Sequence, residues 1–126
     1  MADERKTLAL IAHDGKKEAM VTFATTFKAV LERYDLVGTK TTGQLLKDRV
    51  GLNVKLMLSG PYGGDAQIAA QVAEGHIEAV FFFVDPLTAN PHDPDIQGLL
   101  RICNVHNVPL ATNAATASFI ISTKAL

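Results

Sequence analysis

The sequence contains no tryptophan and a single cysteine, Cys103. One cysteine cannot form an internal disulfide, and Cys103 falls in an apolar helical stripe, where a thiol packs as a small hydrophobe. Such usage suits a reducing compartment, and the expected location is cytoplasmic. Neither charge sign dominates: 12 Lys and Arg against 13 Asp and Glu leave a formal charge of -1. The chain therefore has no general attraction for nucleic acid or anionic membrane, and any anion it binds must be held locally. No apolar run approaches the roughly 20 residues that span a bilayer. The opening Met-Ala-Asp-Glu-Arg-Lys-Thr is neither a secretory signal nor a membrane anchor. A Walker lysine motif and a dinucleotide Gly-x-Gly-x-x-Gly are also absent from the glycine-bearing loops.

What is present is one ordinary domain, residues 1–126, 48% apolar and 20% charged, with residues 1–6 expected as a frayed lead-in. Thr7 to Ile11 is a short apolar run of the kind that makes a buried parallel strand. From Lys17 to about Tyr34, Met20, Phe23, Phe27, Val30 and Leu31 recur at helical spacing. Leu36 and Val37 make a second strand, and Leu45, Leu46 and Val50 the stripe of a second helix. Val54 to Leu58 gives a third strand, and Ile68, Ala69, Val72 and Ala73 a third helix that Gly75 should stop. Ala79 to Val84 is apolar on both faces, as a strand covered on both sides requires, and is expected at the middle of the sheet. Ile96, Leu99, Leu100 and Cys103 then mark a fourth helix, Val108 to Ala111 a fifth strand, and Ala114, Ala117, Ile120 and Ile121 a last helix. Strand and helix alternate five times. The predicted fold is α/β, a three-layer, doubly wound, flavodoxin-like or Rossmann-like sheet of five parallel strands with helices on both faces, in order 2-1-3-4-5 or 3-2-1-4-5.

Ligands of such sheets bind beyond the carboxyl ends of the strands, and the loops there carry the chemistry. After strand three comes Ser59-Gly-Pro-Tyr-Gly-Gly-Asp65, a stiff, glycine-rich turn ending on a carboxylate. Asp65 stands where a helix begins, so it reads either as an N-cap or as an acid–base group. His13 and Asp14 leave strand one with Lys17 a turn later, which is ordinary loop chemistry unless other loops converge on it. Thr39, Thr41 and Thr42 leave strand two at the mouth of a helix, as caps or as part of an anion site. Ser59 and Gly60 add a hydroxyl and an accessible N–H. Together these groups form a phosphate cradle suited to a small phosphorylated ligand. The proline-rich loop after strand four adds Asp85, His92, Asp93 and Asp95. No pair of these sits at a regular helical metal-ligand spacing, and no metal is expected.

Five motifs occur in order: Ala-His-Asp-x-x-Lys, Thr-x-Thr-Thr-Gly, Leu-Ser-Gly-Pro-x-Gly-Gly-Asp, Asp-Pro-Leu-x-Ala-x-Pro-His-x-Pro-Asp and Ala-Thr-Asn-x-Ala-Thr-Ala. Over nearly its whole length the sequence resembles the methylglyoxal synthase family. The resemblance implies a carbon–oxygen lyase that converts dihydroxyacetone phosphate to methylglyoxal and inorganic phosphate without a cofactor. It implies Asp65 as the catalytic base and His92 as a substrate-polarising partner. His13, Lys17, Thr39, Lys40, Thr41, Thr42, Ser59 and Gly60 would bind substrate, with Asp14, Asp85 and Asp95 as supporting acids. It further implies inhibition by inorganic phosphate and a homohexamer. Lys40 departs from the pattern, since glycine is usual there, and its side chain is expected to point away from the phosphate. Some relatives carry, beyond the last helix, an arginine that reaches a neighbouring subunit's equivalent of Asp14; with the sequence ending at Leu126, that route is not expected here. Two rivals share the fold or a related one. One is the effector-binding domain of the carbamoyl-phosphate synthetase large subunit, which needs a cradle but no base, and the other is a cyclohydrolase.

Overall fold

The computed structural model describes residues 5–88 and 93–124, with side chains described over 5–88 and 96–122. Five strands, β1 (Thr7–Ala12), β2 (Asp35–Gly38), β3 (Val54–Leu56), β4 (Ala79–Phe83) and β5 (Leu110–Ala111), form one sheet in the order β3-β2-β1-β4-β5. Every pairing is parallel. The α-helices are α1 (Lys17–Thr26), α2 (Lys28–Leu31), α3 (Lys40–Arg49), α4 (Gly64–Ala73), α5 (Asp93–Val105) and α6 (Ala114–Lys124).

Strand alternation divides the core into two layers. Leu8, Leu10, Ala12, Phe81 and Phe83 point to one face, where they meet Met20 and Phe23 of α1, Leu46 of α3 and Ile121 of α6. Ala9, Ile11, Val80 and Phe82 point to the other, against Ile68 and Val72 of α4 and Leu99 and Cys103 of α5. The doubly wound, helix-covered parallel sheet is therefore as expected, and Cys103 is buried in it, its thiol pushed up to about 11 by desolvation.

Three local expectations are corrected. The middle strand is β1, while Ala79–Phe83 is the interior strand between β1 and the edge strand β5. Burial of both faces is common to all interior strands and does not distinguish their positions. The helix from Lys17 is broken at Phe27 (φ −107°, ψ 23°). There the hydroxyls of Thr25 and Thr26 donate back to the carbonyls of Val21 and Thr22, at 2.8 and 2.9 Å, a pattern that bends helices. Within the supposed lead-in, Arg5 and Lys6 are anchored: the Arg5 guanidinium donates to the carbonyls of Glu32 and Tyr34, and Asp35 N–H donates to Lys6 O.

The strand order reverses direction between β1 and β4, and the loops that leave these strands part there. In an open α/β sheet that is where a crevice forms at the carboxyl edge.

Candidate active site

A cavity of about 370 Å³ occupies that crevice. Ile11, Ala12, His13, Asp14 and Lys17 line it from the end of β1, Thr39 and Thr41 from the end of β2, Ser59, Gly60, Pro61 and Asp65 from beyond β3, and Phe82 from β4. A larger cavity of about 610 Å³ opens at the opposite end of the sheet, beside Thr7 and Asp35. Its walls mix Arg5, Lys55 and His76 with Glu32 and Asp35, at the amino ends of the strands and away from the loops of Asp65 and Lys17. Chemistry, not size, distinguishes the two.

Asp65 is only 5% exposed. It is the second residue of α4, whose N-cap is Gly63 in the left-handed region (φ 99°), so the capping alternative for Asp65 does not hold. A carboxylate in the first turn instead meets the positive end of the helix dipole. The turn that presents it is tight: a Cβ on Gly64 would stand 1.8 Å from Leu58 O and 2.9 Å from Thr39 Cγ2, so only glycine fits. Gln67, one turn into α4, accepts the Leu58 N–H through Oε1 at 2.7 Å and holds the strand exit against the helix.

Lys17 supplies the cavity's cation. Its Nζ donates to Ala12 O and lies 3.5 Å from Asp14 Oδ1. Burial pulls its pKa down, and the Asp14 carboxylate opposes that fall only in part. Across the cavity, Thr39 is the N-cap residue of α3 but makes no side-chain cap hydrogen bond. Simple capping therefore does not account for the threonines. The first-turn N–H groups of α3 and the positive end of its dipole favour an anion beside Thr39 and Thr41.

Three expected site residues stand outside the lining. Thr42 is 0% exposed. Its Oγ1 accepts the Ala12 N–H at 3.2 Å and lies 3.4 Å from both Ala12 O and Thr39 Oγ1, fastening the start of α3 to the end of β1. Lys40, first residue of α3, is exposed and does not line the cavity. Asp85 lies beside His13, its carboxyl held below the usual carboxylate range by the Leu87 N–H and the Thr88 hydroxyl, with a smaller contribution from Lys16. His92, and the side chains of Asp93 and Asp95, lie outside the described residues. Among the described residues no three His, Cys, Asp or Glu side chains form a metal-binding group, and no helix is long and apolar enough to cross a membrane.

The motif reading missed the Ala12 carbonyl, where Lys17 and Thr42 meet, and Phe82, whose ring stands edge-on to His13 at 5.3 Å. A main-chain acceptor leaves no mark in residue type. Phe82 was legible only as one of three consecutive phenylalanines in the apolar run from Ala79 to Val84. For Lys40, a cation at a helix amino terminus opposes the dipole by about 0.3–1 kcal/mol. Lys40→Ala is expected to raise stability by that amount in chemical denaturation and to leave phosphate affinity within about threefold. A tenfold loss of affinity, the scale of a lost charge-assisted bond, would put the ammonium in the site.

The chain is similar to known proteins along most of its length. An MGS-like domain model matches residues 19–112. The methylglyoxal synthase of Ralstonia nicotianae is 58% identical over 118 residues, covering 94% of this chain and 87% of that protein. The methylglyoxal synthase of Thermus thermophilus is 57% identical over 117 residues, covering 93% of each. The crystal structure of methylglyoxal synthase from Elizabethkingia anophelis NUHP1 superposes with a TM-score of 0.90 at 43% identity, covering 95% of this chain and 79% of that one. With a matching family model, relatives of this identity over most of their length and a solved structure that superposes on its parallel sheet, the chain belongs to the methylglyoxal synthase family of enzymes.

Proposed function

We propose that the protein is a carbon–oxygen lyase that converts dihydroxyacetone phosphate to methylglyoxal and inorganic phosphate. The observation that carries this reading is a buried carboxylate, Asp65, in the same cavity as a partly desolvated ammonium, Lys17, and the helix-terminal threonines Thr39 and Thr41. A site built only to hold a phosphorylated effector gains nothing from a buried carboxylate beside the anion, which repels it. That weighs against the effector-binding alternative.

In the proposed reaction Asp65 removes a proton from the hydroxymethyl carbon, and the electron pair moves toward the carbonyl oxygen to form an enediolate. Donors at that oxygen, His13 and by family resemblance His92, stabilise the developing charge. As the terminal hydroxyl hands its proton to the neighbouring enediolate oxygen, its electrons form the terminal aldehyde, the double bond shifts, and the C–O bond to phosphate breaks with its pair leaving on the phosphate. The remaining enol takes a proton at its methylene carbon and becomes methylglyoxal. Elimination requires the breaking C–O bond to stand across the enediolate plane. Lys17, Thr39, Thr41, Ser59 and Gly60 hold the phosphate there in this reading, while Lys40 and Thr42 serve through the backbone of α3. Asp14, Asp85 and Asp95 are supporting acids, and no cofactor takes part.

Inorganic phosphate, as product, competes for the same cradle and inhibits. Assembly as a homohexamer in the cytoplasm completes the proposal; exposed Tyr62, Leu87 and Phe119 give copies of the chain apolar surface to cover, and sedimentation velocity measures the assembly. The reaction is tested by mixing the protein with dihydroxyacetone phosphate and a chelator and assaying dicarbonyl and free phosphate together. Equal molar release of both is expected. Isomerisation to the aldose phosphate, or binding without turnover, would overturn the assignment.

A further inference from the structure

His13 sits at the floor of the cavity, 7% exposed, its ring edge-on to Phe82. Its main-chain N–H donates to Phe83 O at 3.0 Å, which ties the end of β1 to the end of β4. Its Nδ1 accepts the main-chain N–H of Asp85, also at 3.0 Å. A main-chain amide cannot rotate its hydrogen away, change tautomer or act as an acceptor at nitrogen. Nδ1 must therefore present a lone pair, and a neutral imidazole so placed carries its proton on Nε2.

We infer that the Asp85 main-chain amide fixes His13 as a neutral imidazole whose Nε2–H is a permanent hydrogen-bond donor to the oxygens of the bound substrate. His13 then neither charges in the free enzyme nor relays a proton during turnover. This rests on the reading of the cavity as the substrate site, but the state of the ring is measurable without substrate.

The surrounding charges pull both ways. Asp14 next in the chain, Asp85 two residues beyond Phe83 and Asp65 across the cavity would stabilise an imidazolium. Lys16 and Lys17 on the same segment oppose it, as does burial of the ring. The amide decides the matter. Protonation at Nδ1 would set two N–H groups against each other at 3.0 Å and exchange an attractive buried hydrogen bond for a repulsive contact. A donor that stays neutral also suits the chemistry. Its hydrogen bond strengthens as charge grows on the substrate oxygen, and it has no acidic proton to give up, so the enediolate keeps the negative charge that expels phosphate.

The experiment uses the full chain labelled with nitrogen-15, with imidazole nitrogen–proton correlations recorded from pH 5.5 to 8.5 and the His13 signals identified by their loss in His13→Gln. Expected is the Nε2-protonated, Nδ1-unprotonated pattern, unchanged across a range in which an ordinary imidazole changes charge near pH 6.5. A midpoint near that value, or a proton on Nδ1, overturns the inference whatever the substrate proves to be. Two variants test the donor. His13→Asn can accept the Asp85 amide but leaves the Nε2 position empty, whereas His13→Gln can place an amide N–H there. Turnover of dihydroxyacetone phosphate is expected to fall about 100- to 1,000-fold in His13→Asn, the range for a lost oxyanion donor, and at least tenfold less in His13→Gln. Equal losses in the two folded variants would show that the Nε2–H is not what His13 contributes.

Discussion

Asp65→Asn is expected to lower the turnover number by about a hundred- to ten-thousandfold, the range for losing a positioned base. The substitution is nearly isosteric, and Gly63 rather than Asp65 occupies the N-cap of α4. Asn keeps the size and hydrogen-bonding capacity of the side chain and gives up the favourable meeting of a carboxylate with the helix dipole, about 0.3–1 kcal/mol. Thermal unfolding should move little and inorganic phosphate should still bind, so the defect would fall in kcat and not in KM. Phosphate could even bind more tightly, because a negative charge has left the cavity it enters. Retention of more than about a tenth of the wild-type turnover lies outside the range for a lost base and would send the search for the base to Asp95 or Asp14.

Lys17→Ala is expected to weaken inhibition by inorganic phosphate roughly 10- to 150-fold, corresponding to about 1.5–3 kcal/mol for a hydrogen bond to a charged group. Burial holds the Lys17 pKa below its ordinary value of 10.5. With the folded value depressed, Lys17 favours the folded state only above that unfolded value. The advantage is lost as pH falls through the folded value, and in neutral solution the charged ammonium opposes folding. An anion in the cavity raises the pKa again, so phosphate binding should take up protons at a pH near the depressed folded value. The companion Lys17→Met, which keeps the buried stem, should therefore unfold no more easily than the wild type in the absence of phosphate while showing the same weakened inhibition. Calorimetry in buffers of different ionisation enthalpy measures the proton uptake. Unchanged inhibition would remove Lys17 from the site, and a large loss of stability in the phosphate-free Met variant would make it a structural residue.

The fold was legible because its signals are long and repeated. Fully apolar Ala79–Phe83 could only be an interior parallel strand, and Met20, Phe23 and Leu46 recur at the spacing that buries one helix face. The position of β1 in the middle was not legible, since Thr7–Ala12 and Ala79–Phe83 present the same two-faced burial. Nor was the break at Phe27, which depends on which carbonyls Thr25 and Thr26 reach. Within the site, residue types announced Asp65, His13 and Lys17, but not how they are held. Thr42 has the same hydroxyl as Thr39 and Thr41, yet it turns inward to Ala12 while those two line the cavity. The partners that decide such differences are largely main-chain atoms: Ala12 O for Lys17 and the Asp85 N–H for His13. Every residue carries these groups, and only the folded backbone selects which of them a side chain meets.

The most direct measurement follows carbon-bound hydrogen in dihydroxyacetone phosphate by proton NMR in heavy water, with the wild type and Asp65→Asn compared at equal concentration. The wild type should form methylglyoxal and phosphate, with deuterium entering the product methyl group when the enol takes its final proton. Asp65→Asn should form product and exchange substrate hydrogen about a hundred- to ten-thousandfold more slowly, the two slowed together, although phosphate still binds. Exchange at the wild-type rate in Asp65→Asn would contradict the assignment of Asp65 as the base that removes the proton.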